Sequence, residues 1–431
     1  MSDADVALSI GYGRLHLMMA AEWLARAGCR VRLICGWVPR NPDGWLVRLC
    51  SWLIGRDLSS GMRKRVLGVP GVEPRPLAFA DFIDQGMRFV NRKFFHGRYH
   101  ARVSTWGWRL FGWLSRRHLK RGINVFHVRS GAGQGGAIAK ARRLGMKVIV
   151  DHSIAHPAFM DRELRGEYER NGTHFDLGMD SPFWRLVVKD CEEADVVMVN
   201  SFFVRDTFIE QGFPEEKIKV VYLGVRDDFW GLRRHAAPKD GRPLRLLFTG
   251  GFGFRKGGEY ILEALKLLKM RGVRFHMDCV GEYSGSMPLI KRYAKDLDIV
   301  FGTPRGDDHD VIFYGQKPQD ELRSFLANGD IYLFPSLAEG CAQSGMEALA
   351  AGLCVVATRE SGLPLTNDIN GAVVKSRDAV MIADKLEWLS RNRDEIDRLG
   401  SAAAKLIADN FTWQRYSENC LRLYGDRSVC S

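Results

Sequence analysis

The sequence predicts an α/β protein made of two doubly wound parallel-sheet domains, and three observations predict it. Apolar runs rich in Val, Ile and Leu recur along the chain, helix-period segments separate them, and the alternation restarts after a polar stretch with Pro and Gly at 235–243. Runs that are apolar on both faces suit strands buried between helices, and strand–helix alternation marks βαβ units. At 431 residues the chain can bury two such cores.

In order, strands are expected at Val31 to Cys35, Val125 to Val128, Val148 to Val150, Val196 to Val199 and Val220 to Leu223. After the restart they are expected at Leu244 to Thr249, Phe275 to Val280, Ile331 to Phe334 and Cys354 to Thr358. The first domain is expected over 1–238 with a basic aromatic insert at about 40–121, and the second over 239–411. The remainder, 412–431, carries Trp413, Tyr416, Leu421 and Tyr424 at helical spacing and is expected to pack back on the first domain as a helix.

Hydrophobic residues at 46% and charged residues at 26% exclude a disordered, collagenous or polytopic membrane chain. The net charge of +12 is local: residues 1–120 hold 20 Lys+Arg against 8 Asp+Glu, and the rest holds 43 of each. Seven of the eleven tryptophans lie in the same quarter, which points to an anionic surface as partner. The nine cysteines include no Cys-x-x-Cys and no zinc spacing, so reduced thiols and no metal site are expected. The Met-Ser-Asp-Ala-Asp start lacks a signal-peptide pattern and no run of about 18 apolar residues exists, so a cytoplasmic location is expected.

Two stretches carry chemistry. Leu244 to Gly258 reads as a strand, the glycine-rich turn Gly250-Gly251-Phe-Gly253, the cations Arg255 and Lys256, and a helix start. Glycines let backbone amides approach an anion, and the helix end and cations supply positive charge. Neither a Walker A loop nor a dinucleotide fingerprint fits, and a plain structural turn stays open. Further on, Leu333-Phe-Pro-Ser336 leads through Glu339-Gly340 to a helix bearing Glu347. A carboxylate at the carboxyl end of a parallel strand lies where doubly wound sheets bind ligands, although each glutamate alone could be a solvated charge.

Together, Glu339 and Glu347 with seven residues between them, Val355-Val356-Ala-Thr358, Ser361-Gly362, Asn370-Gly371, the Gly250 to Gly257 turn, Phe313-Tyr-Gly315 and Phe411-Thr-Trp413 resemble family 4 retaining glycosyltransferases. The resemblance implies a GT-B fold, with two Rossmann-like domains facing across a cleft that holds a nucleotide-diphosphate sugar. It implies that Glu347 binds the ribose hydroxyls and that Glu339, with the amides of Gly340, Cys341, Ala342 and Gln343, faces the donor sugar. Lys256 and Arg255, beside Gly253, would neutralise the diphosphate and the departing phosphate in place of a metal. Gly251 stands where the family commonly has an arginine, so Arg255 would substitute for it. Cys341, Ala342 and Gln343 replace the usual aromatic and glycine residues, which leaves the donor sugar open. On the first domain, Ser9 to His16 is similar to the family's opening loop, with Gly13 as its contact, and His152 matches a histidine that touches the donor sugar; His156 is read as structural. The family mechanism keeps the anomeric configuration without a protein nucleophile, the acceptor proton passing to the leaving phosphate.

Asp308-His309-Asp310 reads as a solvated loop without a supporting strand rather than as a metal motif. Trp45 to Arg65 and Arg98 to Arg121 interleave Trp, Phe and Leu with Arg and Lys, which suits helices lying in the headgroup plane of an anionic membrane and a lipid-linked acceptor. The alternative is that these tryptophans are core residues. A soluble transferase making a small glycoside is a second reading. A nucleic-acid-binding protein is a third, and no nucleic-acid motif supports it.

Overall fold

The computed structural model describes residues 5–13, 16–39, 41–54, 57–63, 65, 68–233, 242–303 and 309–425. In the first half, β1 (Asp5–Gly11), β2 (Arg30–Cys35), β3 (Val72–Pro76), β4 (Val125–Arg129), β5 (Lys147–His152), β6 (Val196–Val199) and β7 (Ile218–Val220) form one sheet. Its order is β3-β2-β1-β4-β5-β6-β7. In the second half, β8 (Leu244–Thr249), β9 (Phe275–Val280), β10 (Ile299–Phe301), β11 (Val311–Gly315), β12 (Ile331–Phe334), β13 (Cys354–Thr358) and β14 (Ala372–Val374) form another, ordered β10-β11-β9-β8-β12-β13-β14. The pairings within both are parallel. These are the two doubly wound domains that strand–helix alternation predicts. The strand order reverses between β1 and β4 in the first sheet and between β8 and β12 in the second, and the carboxyl ends flanking such a reversal form the ligand crevice of doubly wound folds. The junction at 234–241, which includes the expected boundary at 238, lies outside the described residues.

The helix Trp413–Gly425 lies against the helix His16–Arg26 of the first domain, and its Trp413, Tyr416, Cys420 and Tyr424 join the core under β1 and β4. No two of the eight described cysteines are joined by a disulfide. No helix among the described residues is long and apolar enough to cross a membrane.

Several elements differ from the pattern reading. The apolar run Val220 to Leu223 contributes only Val220 to a strand, because β7 pairs with β6 through Ile218 to Val220 and then turns away. β3, Val-Glu-Pro-Arg-Pro, escapes detection because it is an edge strand, where missing amides cost nothing and an apolar run is not required. β10 and β14 are three residues each, too short to show periodicity. His309 and Asp310 directly precede β11, and Asp310 accepts from Lys269 at 2.6 Å, so this part of the triplet is a strand-end ion pair rather than an unsupported loop. Asp308 lies outside the described residues.

The insert splits the two expectations made for it. Trp108 and Phe111, in the helix His100–Ser115, are core residues, whereas Trp106 and Trp113 of the same helix are half exposed. The helix Trp45–Ile54 leaves Trp45 and Trp52 75% and 77% exposed. The helix Ala78–Phe95 is inverted. It buries Asp81, Asp84 and Asn91 and exposes Phe79, Phe82, Phe89, Phe94 and Phe95 beside Arg92 and Lys93. Most of its buried polar groups find local partners, Asp84 Oδ1 being left without one among the described residues. Asp81 accepts from the Trp37 amide and from Arg65, Asp84 from Arg88, and Asn91 from the Tyr99 amide.

Candidate active site in the interdomain cleft

The loops following β8 and β12 meet at the reversal point of the second sheet. After β8, Gly250 to Gly257 turns sharply, and Gly257 is required twice. Its φ of 75° is left-handed, and a Cβ there would stand 2.0 Å from the Pro335 carbonyl oxygen. Gly253, expected to line the phosphate turn, lies in that turn with an extended backbone (φ 176°), a conformation open to any residue. Its carbonyl accepts from the Lys256 and Gly258 amides, which turns Arg255 and Lys256 toward the β12 loop. The Arg255 carbonyl receives the Leu337 amide at 2.8 Å and the Ser336 hydroxyl at 3.0 Å, and its guanidinium donates to the Ala338 carbonyl at 3.0 Å. Tyr332 of β12 reaches Thr249 at 3.1 Å and Ser344 at 2.9 Å, tying the end of β8 to the helix Gln343–Ala351.

This scaffold gathers three expected residues into one cluster. Glu339 Oε1 stands 2.6 Å from Arg255 Nη1 and 3.5 Å from Lys256 Nζ, and the ammonium lies 5.0 Å over the Phe334 ring. Burial pushes the Glu339 carboxyl up, but the two cations outweigh it and hold it below its ordinary value. The Lys256 ammonium shares that single carboxylate with Arg255, so burial wins there and its pKa falls. The cluster therefore carries an excess positive charge in a desolvated turn.

Glu347 sits in the second turn of the helix Gln343–Ala351, beside the segment that crosses from the first domain to the second. No described residue hydrogen-bonds to its carboxyl. Burial raises it from 4.5 to about 7, opposed by Arg226 and reinforced by Asp228. Arg226 is already committed to Asp228 and to Gln319 at 2.9 Å. A partly buried carboxyl with unused acceptor capacity is suited to receive hydroxyl donors.

The Glu339–Gly340 turn also joins the domains. The Glu339 carbonyl accepts from the Ala155 amide at 3.1 Å and the Gly340 carbonyl from Ser201 Oγ at 2.6 Å; a Cβ on Gly340 would lie 2.0 Å from the Ser153 carbonyl oxygen. Of the four amides expected to face the donor sugar, that of Ala342 is spent on the Ser361 carbonyl. Cys341 and Ala342 are buried, and Gln343 donates to the Gly224 carbonyl at 3.3 Å.

His152, expected to touch the donor sugar, is only 1% exposed, and its Nε2 has no hydrogen-bond partner among the described residues. Its Nδ1 is 3.0 Å from Ser130 Oγ, its ring meets Phe208 edge to face, and burial pulls its pKa down to about 3. His156 caps the helix Pro157–Arg170, accepting from the Ala158 amide, as a structural histidine does. Gly13 lies in the β1-to-helix turn; Arg14 and Leu15 are outside the described residues.

The histidine at the mouth of the first domain is His16, which motif reading passed over. Its Nε2 is 2.9 Å from Asp151 Oδ1, and His127, bonded to Tyr424 through Nδ1 at 2.8 Å, approaches the same carboxylate at 3.6 Å. Burial pushes Asp151 up, but His16 and His127 outweigh it and hold it well below the usual carboxylate range. Asp151 and Arg129, charged residues at the carboxyl ends of the adjacent strands β5 and β4, are the signal that could have pointed here. A cavity of about 240 Å³ in the first domain is lined by Arg88, His100, Ser104, Trp108, Asp176 and Trp184 among others. Among the described residues no group of His, Cys, Asp and Glu is placed to hold a metal ion.

Comparison with known proteins is consistent across both domains. The family model described as "Glycosyltransferase Family 4" matches residues 14–229, and that described as "Glycosyl transferases group 1" matches residues 243–392. The amylovoran biosynthesis glycosyltransferase AmsK of Erwinia amylovora is 30% identical over 211 residues, 47% of this chain and 49% of that protein. The putative colanic acid biosynthesis glycosyltransferase WcaL of Salmonella typhimurium is 29% identical over 215 residues, 47% of this chain and 50% of its own length. The chain thus spans about half the length of the curated relatives it matches. Among solved structures, a glycosyltransferase from Rickettsia africae superposes over 100% of both chains with a TM-score of 0.61 at 14% identity. Anabaena HepE, solved with UDP and glucose, has a TM-score of 0.59 at 13% identity, covering 97% of this chain and 99% of that one. Both are likenesses of fold.

Proposed function

Because the chain belongs to glycosyltransferase family 4, we propose that it moves a sugar, with retention of configuration, from a nucleotide-diphosphate sugar to a glycan or lipid-linked acceptor of a cell-envelope polysaccharide. The observation that carries this reading is the cluster of Arg255, Lys256 and Glu339 at the reversal point of the second sheet, with the unpartnered Glu347 on the helix that follows. In this reading the ribose hydroxyls donate to Glu347. The diphosphate takes the place beside Arg255 and Lys256 that the Glu339 carboxylate now holds, and Glu339 is freed toward the donor sugar. The two cations supply the charge that a metal would otherwise supply to the departing phosphate, and the acceptor hydroxyl passes its proton to that phosphate.

The basic aromatic surface of the first domain supports a place for the enzyme on the inner face of the membrane. The inverted helix Ala78–Phe95 turns five phenylalanines outward beside Arg92 and Lys93, and Trp45 and Trp52 are exposed as well. Aromatic bodies with cationic rims suit an anionic leaflet.

A thermal-shift and calorimetric panel of UDP, GDP, ADP and their sugars tests the donor site, since selective binding raises Tm by mass action. At least one nucleoside diphosphate is expected to bind, and Glu347→Ala to weaken it; absence of binding to all three would sink the reading. Flotation with vesicles rich in anionic lipid tests the surface. Failure to float at physiological salt would instead support a soluble enzyme making a small glycoside.

A further inference from the structure

The first domain holds a cation, Arg129, that the Asp151 carboxylate attracts without forming an ion pair with it. Arg129 ends β4, next to β1 at the reversal point of that sheet. Its side chain leaves the sheet on the same face as His127, the face covered by the helices His16–Arg26 and Trp413–Gly425. Its guanidinium nevertheless lies 5.1 Å over Trp108, on the helix His100–Ser115, which packs on the opposite face with Phe126 and Val128. To reach from one face to the other, the side chain must lie across the carboxyl ends of the strands, where ligands of doubly wound sheets bind. Trp108 confirms the location. A Cβ on Gly11, the last residue of β1, would fall 2.5 Å from the tip of its ring. No described residue accepts a hydrogen bond from the Arg129 guanidinium or forms an ion pair with it.

His16 stands at the same end of the sheet. It follows the β1 turn and is fixed by Asp151, whose β5 position is the register partner of Arg129. The position is also linked to the site described above through its chain neighbours. Ser130, the next residue, bonds to His152, and Ser153 lies against Gly340, the neighbour of Glu339. A planar guanidinium with free donors, resting on an indole face and flanked by a carboxylate-fixed histidine, is the chemistry of phosphoryl recognition.

We propose that Arg129 and His16 form a second anion subsite on the first-domain wall of the cleft, and that it receives a phosphoryl group carried by the acceptor. This rests on the donor reading, in which Arg255 and Lys256 already serve the nucleotide diphosphate. The aromatic cavity beside Trp108 would then take the part of the acceptor next to that phosphoryl group.

Calorimetry with inorganic pyrophosphate tests the subsite, in protein alone and in protein saturated with the nucleoside diphosphate that binds best. Pyrophosphate is expected to bind the nucleotide-saturated protein. Arg129→Ala should weaken that binding at least tenfold and leave nucleoside diphosphate affinity within twofold, and Arg255→Ala should do the reverse. Arg129→Met, which keeps a stem over Trp108, should match Arg129→Ala, and serves alone if the alanine variant melts early. The proposal is overturned if pyrophosphate does not bind once the nucleotide is in place. It is overturned equally if Arg129 variants lose nucleotide affinity as much as Arg255→Ala does, which would assign Arg129 to the donor diphosphate. If no nucleoside diphosphate binds at all, the donor reading fails separately, and pyrophosphate binding to the free protein, lost in Arg129 variants and kept in Arg255→Ala, still decides the subsite.

Discussion

Replacing Glu347 by Gln should stabilise the free protein while weakening its grip on nucleotide. Holding a carboxyl at about 7 instead of 4.5 corresponds to about 3 kcal/mol in favour of its neutral form in the folded chain. Because the folded value is the higher one, the associated stability is complete below pH 4.5 and is lost as pH rises through about 7. Gln keeps the shape and removes the titration. At roughly 2–4 °C per kcal/mol for a domain of this size, the variant should gain about 5–10 °C in Tm on wild type between pH 5 and pH 8. Nucleotide binding should move oppositely. Charge-assisted hydrogen bonds contribute about 1.5–3 kcal/mol, so at pH 8 the variant should bind the preferred nucleoside diphosphate about 10- to 100-fold more weakly. Wild-type affinity should strengthen from pH 6 to pH 8 as the carboxyl ionises, and the Gln variant should lack that component. The assays are differential scanning calorimetry across pH and titration calorimetry at both values. Parallel Tm profiles for the two proteins would refute the burial argument, and unchanged nucleotide affinity would remove Glu347 from the donor site.

Glu339→Gln should release Arg255 and Lys256 from a competing carboxylate, raising nucleoside diphosphate affinity several-fold in calorimetry while sugar transfer falls by two orders of magnitude or more; weaker nucleotide binding would contradict the exchange of anions. Gly340→Ala places a methyl against the Ser153 carbonyl and should open the domain contact, seen as a lower transfer rate and a changed small-angle scattering profile with little change in helix content. Equal scattering and equal rate would show that the contact gives way freely. Phe79→Ser with Phe94→Ser removes two exposed rings and should abolish vesicle flotation without lowering Tm; a fall of more than a few degrees would mean those rings are covered in the free protein.

The strand–helix alternation and the restart near 240 were legible because each parallel strand is buried on both faces and must therefore be an unbroken apolar run, whatever it packs against. The proposed donor side was legible for a related reason. Gly257, Lys256, Glu339 and Glu347 sit on two short loop-to-helix stretches, so their local spacing already states their neighbourhood. Arg129, Asp151 and His16 could not be read in this way. They come from three separate elements more than a hundred residues apart at the extremes, and only the parallel register of β1, β4 and β5 brings them together.

Burial was likewise a tertiary decision. His152 ends a strand as the resemblance implies, but its burial against Ser130 and Phe208 is written nowhere in the local sequence. The helix Ala78–Phe95 has an amphipathic pattern that says nothing about which face turns inward. That choice was made by Trp37, Arg65, Arg88 and Tyr99, which offer partners to its Asp and Asn side chains and leave its phenylalanines outside. Periodicity and spacing are properties of neighbours along the chain and survive in a bare sequence. Which face is covered, and which charges meet, depends on groups that only folding brings within a few ångströms.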